Sequence, residues 1–170
     1  MTTTTGTELR DGTWTVPTDT RATFSARNFG IRTVTGTLAM DRGTVTVTGG
    51  RPVAAEGALT AASVETGIAQ RDGHLRGSSF FHADRHPYIA LRALRFEPAE
   101  DGWVVPAMLT VGGVETPVTL HAQRLPDPGP GAIALRITGE VDRTTTRMRA
   151  PRIMVGHRIA MEAELTFTRR

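Results

Sequence analysis

The sequence predicts an all-β fold, an antiparallel barrel of about eight strands with one short helical connection. Turn signals recur roughly every 10–12 residues, and the segments between them alternate apolar and polar side chains with period 2. Gly (18) and Pro (10) are spread along the 170 residues, as many short strands and tight turns require. Alternation alone leaves a sandwich and a barrel both open. Full closure is the arrangement that buries such strands without exposed edges. An eight-stranded barrel either fills its interior with side chains or holds one small ligand. Small inward residues mixed with Phe, Leu and Met favour a cavity.

Trp14–Val16 reads as a short first strand ended by Pro17. Arg21–Asn28 alternates Ala22, Phe24 and Ala26 against Arg21, Thr23, Ser25 and Arg27. Thr33–Asp41 follows, and Arg42-Gly43 is expected to turn the chain into Thr44–Thr48. Ala55–Val64 is the next strand, with Leu59, Ala61 and Ser63 on one face. From Ile68 to Ala83 the period is lost, which predicts a short helix or ordered loop. Strand patterning resumes at Ile89, Leu91 and Ala93. Asp101-Gly102 is a hairpin signal into Trp103–Val111, and Gly112-Gly113 turns into Val114–Gln123. After the loop Pro126–Gly131, Ile133, Leu135, Ile137 and Val141 mark one strand, and Ile159 to Phe167 the last. Residues 1–12 are expected to form a flexible polar leader, and residues 13–170 a single barrel domain, a size that supports a real core.

Composition removes several functions. There is no Cys, hence no disulfide, thiolate chemistry or Cys-type zinc site. All 20 basic residues are Arg, so no lysine is present for a Schiff base. The sequence pI near 10.8 resembles a nucleic-acid signal, but the net charge is only +3, aromatics are 5%, and Arg and acidic residues are interspersed. A phosphate groove needs a clustered basic face with stacking partners, so nucleic acid is not an expected partner. No segment reaches the roughly 18 apolar residues of a membrane helix. No charged n-region precedes an apolar h-region, and the expected location is cytoplasmic.

Ser63 to Tyr88 is the chemically densest stretch. Arg71-Asp72-x-His74-x-Arg76 reads either as a network pinning the connection onto the barrel or as a clamp for a ligand head group. Phe80-Phe81 reads as core packing or as the wall of an apolar tunnel. His82 and His86 share an i, i+4 spacing, but no Glu follows His82 and Pro87 disfavours helix at His86, which argues against a metal. A nucleophile elbow G-x-S-x-G is absent. The five methionines beyond Met1 (Met40, Met108, Met148, Met154 and Met161) suit either core filling or an adaptable lumen.

Ser63-Val64-x-Thr66-Gly67, Arg71-Asp72-x-His74-Leu75-Arg76, Phe80-Phe81-x-Ala83 and Pro87-x-Ile89 together resemble the signature of the YceI-like family. Gly12–Val16, Phe24–Arg27, Val34-x-Gly36-x-Leu38, Leu109–Val118 and Val155-Gly156 extend the resemblance over most of the chain. Two positions depart from it: Asn28 or Phe29 where relatives usually have His, and Thr144-Thr145-Thr146 after Arg143 where they have a Phe-Gly pair. The resemblance implies a lipocalin-like barrel holding a polyisoprenoid in its lumen, with an isoprenoid quinone as another ligand, and it suggests a homodimer. No metal or redox cofactor is expected. Phe24, Leu38, Met40, Phe80, Phe81, Leu91 and Met108 are the expected lining residues; Arg71, Asp72, His74 and Arg76 would hold the closing segment or meet a head group. The competing expectation is a barrel enzyme acting on a small apolar substrate with His74 and Asp72 as acid and base.

Overall fold

The computed structural model describes residues 9–17, 19–28, 32–146, 148 and 158–169. In chain order the elements are β1 (Gly12–Thr15), β2 (Arg21–Asn28), β3 (Arg32–Thr48), β4 (Arg51–Thr60), a 3-10 turn (Ala61–Ser63), α1 (Ala69–Arg76), β5 (Tyr88–Ala93), β6 (Glu97–Ala99), β7 (Gly102–Val111), β8 (Val114–Arg124), β9 (Ala132–Asp142), a second 3-10 turn (Arg143–Thr145) and β10 (Arg158–Arg169). Antiparallel pairing runs β2-β3-β4-β5-β7-β8-β9-β10 and returns to β2, closing an eight-stranded barrel. β10 is the closing strand. It pairs with β9 from Arg158 to Thr168 on one edge and with β2 from Ile159 to Glu162 on the other.

Alternation sets the inside. On β7, Trp103, Val105, Ala107, Leu109 and Val111 are buried, while Val104, Pro106, Met108 and Thr110 are less so. β8 repeats this with Thr116, Val118, Leu120 and Ala122. The inward side chains form two groups. One, toward the α1 end, gathers Val64, Leu75, Phe80, Phe81, Leu109 and Val111; the other, toward the Gly49-Gly50 end, gathers Trp14, Val47, Ile133, Leu165 and Phe167. Each fully buried Leu, Val or Phe contributes about 1.5–3 kcal/mol.

The expected turn at Arg42-Gly43 is not there, because β3 continues as one strand to Thr48. Its register with β4 slips between Met40 and Arg42, so Asp41 is an extra, bulged residue. A bulge changes strand direction without ending it. Gly43 allows the bend, since a Cβ there would meet Val16 Cγ2 at 2.9 Å and Met40 Cε at 3.0 Å. The lower half of β3, Thr44–Val47, then takes β1 as partner.

Strand substitution at the lower end follows. β1 pairs with both β3 and β10 there, occupying the place that β2 holds higher up. β6, which the alternation pattern did not mark, similarly pairs with β7 at Gly102–Val104, below the stretch where β5 pairs with it. Residues 9–12 of the expected leader are docked on the barrel. Leu9 donates its N–H to Gly50 O (3.0 Å), Asp11 Oδ1 accepts from Gly50 N (2.8 Å), and Trp14 Nε1 donates to Arg10 O (2.9 Å). Residues 1–8 lie outside the described residues.

Two glycines separate steric from conformational demands. A Cβ on Gly102 would overlap the Ala122 carbonyl oxygen of the β7–β8 ladder, whereas one on Gly49 meets nothing but sits at φ +64°. Gly49→Ala should therefore cost about 1 kcal/mol, the left-handed penalty alone. Gly102→Ala should cost clearly more, as read from urea midpoints at equal m-value.

Candidate ligand-binding site

The barrel interior is incompletely filled. A cavity of about 140 Å³ lies between the two core groups, bounded by Met40 and Val45 on β3, Leu91 and Ala93 on β5, Leu135 and Ile137 on β9 and Phe167 on β10. Its surface is almost entirely apolar. Glu56 borders it, but Glu56 is exposed and stands opposite Arg92 in the ladder. Met40, Val45, Leu91, Ala93, Leu135 and Ile137 point inward and are nevertheless only half-buried, because the space in front of them is empty. Burying a polar group without a partner costs about 1–3 kcal/mol in proteins. The cavity thus selects hydrocarbon.

The expected lining residues divide among three places. Met40 and Leu91 border the cavity. Leu38, Phe80 and Phe81 are buried in the α1-end group instead, and half-buried Phe24 packs against it, lying over Gly36, where a Cβ would come within 2.5 Å of its Cζ. Phe80 and Phe81 meet edge to face at 4.8 Å, both directed into the core rather than to opposite sides. Positive φ at His82 (52°) accompanies the turn that follows them. Met108 does not line the lumen. It stands on the outer face, in a pocket of about 180 Å³ with Arg42, Arg92 and Glu115. Its even position on β7 opposes the odd-numbered inward set, so parity carried the signal that residue type concealed.

The polar motif is a fastening. Asp72 is 6% exposed and accepts from Thr66 N (2.9 Å) and Thr66 Oγ1. Arg71 donates Nε to Thr66 Oγ1 (2.8 Å) and Nη2 to Thr66 O (3.0 Å). Arg71 and Asp72 therefore meet through Thr66, not as an ion pair. Arg76 donates to Ala62 O and Val64 O. These bonds hold an eight-residue helix that contains Gly73 and has no side-chain N-cap, too short to stand alone. Leu75 is its buried apolar anchor.

None of this faces the cavity, which lies toward the opposite end. His74 is exposed and Asp72 is committed to Thr66, so the acid–base pair expected of a barrel enzyme is not assembled. Of the two readings of this motif, the bonds made by Arg71, Asp72 and Arg76 are those of a segment held onto the barrel, while exposed His74 makes none of them. Thr144 donates N–H and Oγ1–H to Asp142 Oδ1, and Thr145 Oγ1 lies 2.7 Å from Thr116 Oγ1, so this departure from the family pattern ties β9 to β8. Phe29, Met154 and Val155-Gly156 lie outside the described residues, as does the side chain of Asn28. Sequence reasoning missed Leu9, Phe96, Trp103, Leu135 and Ile137 as cavity residues. Parity identifies the last three; Leu9 and Phe96 are brought in by loops.

A closed antiparallel barrel around an apolar lumen is the architecture of lipocalin-like binding proteins. The YceI-like domain model matches residues 14–167, and the chain belongs to that family. A UPF0312 protein of Yersinia pestis (strain Pestoides F) is 39% identical over 61 residues, 36% of this chain and 32% of that protein; one from Serratia proteamaculans (strain 568) is 34% identical over 65 residues, 38% and 34%. The chain thus spans about a third of the length of these relatives. Burkholderia cenocepacia BcnA superposes with TM-score 0.74 at 14% identity, covering 86% of this chain and 95% of that one. A polyisoprenoid binding domain from Saccharophagus degradans, implicated in plant cell wall breakdown, superposes with TM-score 0.69 at 15% identity, covering 95% and 100%. No helix among the described residues is long and apolar enough to cross a membrane.

Two outcomes follow. Asp72→Ala should cost roughly 2–3 kcal/mol in urea unfolding, the loss of charge-assisted bonds at a buried site. The N–H groups of Gly50 and then Gly49 hold the Asp11 carboxyl below its ordinary 3.8. A depressed folded value means that the Asp11 tie is fully stabilising above the unfolded value and is lost as pH falls through the folded one. Stability measured from about pH 5 to about pH 2 should therefore fall less steeply in Asp11→Asn than in the parent.

Proposed function

We propose that this protein binds the hydrocarbon part of an apolar ligand in the barrel lumen, with a polyisoprenoid or an isoprenoid quinone as the ligand class. The supporting observation is the almost wholly apolar cavity inside a closed barrel. The match to the YceI-like family and the fold likeness to a polyisoprenoid binding domain point the same way. The activity assigned is binding, with any polar end of the ligand outside the lumen.

Size constrains the reading. At about 140 Å³ the cavity is comparable with the engineered apolar cavity of ~150 Å³ that takes up benzene. Six buried carbons yield about 5 kcal/mol at ~0.8 kcal/mol each. Association alone costs about 4 kcal/mol or more. A ring-sized occupant would be held only weakly, so useful affinity requires a longer chain and a wider lumen. Met40 and Met161, unbranched and soft, are inward side chains suited to move aside.

Titration with N-phenyl-1-naphthylamine, followed by displacement with a long-chain prenyl alcohol, measures this. Ala93→Leu narrows the cavity and should weaken both ligands at least tenfold without loss of stability; Met108→Ala, on the outer face, should leave affinity unchanged. Equal effects from the two substitutions would locate binding outside the lumen.

A further inference from the structure

We infer that the ligand enters and leaves this lumen sideways, tail first, through a seam between residues 51–55 of β4 and the Phe96 segment ahead of β6, gated by Leu9 and Phe96. This rests on the proposed binding function.

Ring closure at the lower end leaves the seam. β1 replaces β2 there and pairs on both of its edges, with β3 and β10. β6 replaces β5 but pairs only with β7; its other edge finds no strand among the described residues. The β4–β5 ladder ends at Glu56↔Arg92, and the residues below it, 51–55, pair only with β3. Leu94 instead bonds across to Pro106 O (2.8 Å), carrying the chain away from β4. The β4 side is built for an unpaired edge. Pro52 has no N–H to offer, and the register slip between Thr46 and Val47 leaves Val53 bulged and 56% exposed.

Among the described residues, ladder pairing also lapses at two other places. Above Leu120↔Gly139, β8 and β9 part, and between Thr15↔Thr168 and Thr23↔Glu162 the chain leaves β10. The cavity distinguishes the three. Its boundary contains Pro52 and Ala55 from one side of the β4–β6 seam and Ala93 and Phe96 from the other, but no residue of 16–24, 114–119 or 139–142. The β8–β9 gap is bridged by Thr116 and Thr145 and backed by buried Val118 and Val141. Among the described residues, the α1 end is filled by Val64, Leu75, Phe80 and Phe81.

Leu9 completes the gate. It touches both core groups and borders the cavity, and its own backbone makes one bond, to Gly50 O. The bonds of Trp14 Nε1 to Arg10 O, Gly50 N to Asp11 Oδ1 and Arg169 to Asp11 O hold the residues after it, so the Leu9 side chain can swing while the segment stays docked. Phe96 is half-buried, between exposed Arg95 and Glu97, which pair with each other at 2.9 Å. Displacing these two side chains opens the cavity without breaking any strand ladder.

The chain has no cysteine, so single-cysteine variants label at one place. Uptake of N-phenyl-1-naphthylamine is followed by stopped-flow fluorescence in Phe96→Cys and in Ser78→Cys, exposed beyond α1, each before and after a bulky maleimide. Unlabelled Phe96→Cys should take up the probe several-fold faster than the parent, and labelling should slow it at least tenfold; Ser78→Cys should match the parent in both states. Leu9→Ala, on a different segment, should also accelerate uptake several-fold. Blockage by the Ser78 label with no effect at Phe96 would overturn the side portal while leaving the lumen as binding site. Failure of the parent to bind the probe at all would remove both.

Discussion

Closure by β10 is the constraint on which the structure depends. A strand paired along both edges turns a sheet into a ring, and a ring has an inside. Period-2 alternation then acts as a sorting rule, sending Leu135, Ile137, Leu165 and Phe167 inward and Arg136, Glu162 and Glu164 outward, where Arg136 pairs with both acids. Such exposed pairs contribute little, about 0–1 kcal/mol. The stability resides in the two apolar groups at the ends. Around the cavity the inward positions include Gly43, Gly57, Ala93 and Ala122, too small to meet across the barrel. The empty space follows from their size.

The densest chemistry in the chain does structural work. Arg71, Asp72 and Arg76 satisfy backbone groups of the segment 62–66 that would otherwise be left without partners beneath a short helix, and Leu75, Phe80 and Phe81 seal the barrel end under it. Ionisable residues clustered beside aromatic ones therefore mark an end that is filled among the described residues. The cavity surface is chemically plain, made mostly of aliphatic and aromatic side chains distinguished by the empty space in front of them.

That contrast governs how much was legible from sequence. Periodicity carries the all-β class, the bounds of β2, β7 and β9 to within a residue or two, and the break that contains α1. It misreads Arg42-Gly43 because a bulge and a turn share the same residues, and only the partner strand decides between them. β6 is three residues long, below the span over which alternation can be recognised. At the site, Met40 and Leu91 were accessible from parity and Met108 was excluded by it. The cavity's position between the two groups, away from α1, was not legible, because it depends on which inward positions face one another across the ring. Leu9 and Phe96 reach it through long-range docking that leaves no periodic trace.

Native mass spectrometry of the purified chain, followed by denaturing extraction and mass analysis of what is released, tests the central claim most directly. The account predicts a long-chain prenyl lipid bound near one per chain, or an apo protein that gains one equivalent when a prenyl lipid is added. An apo mass that stays unchanged with prenyl lipids present in excess would contradict it.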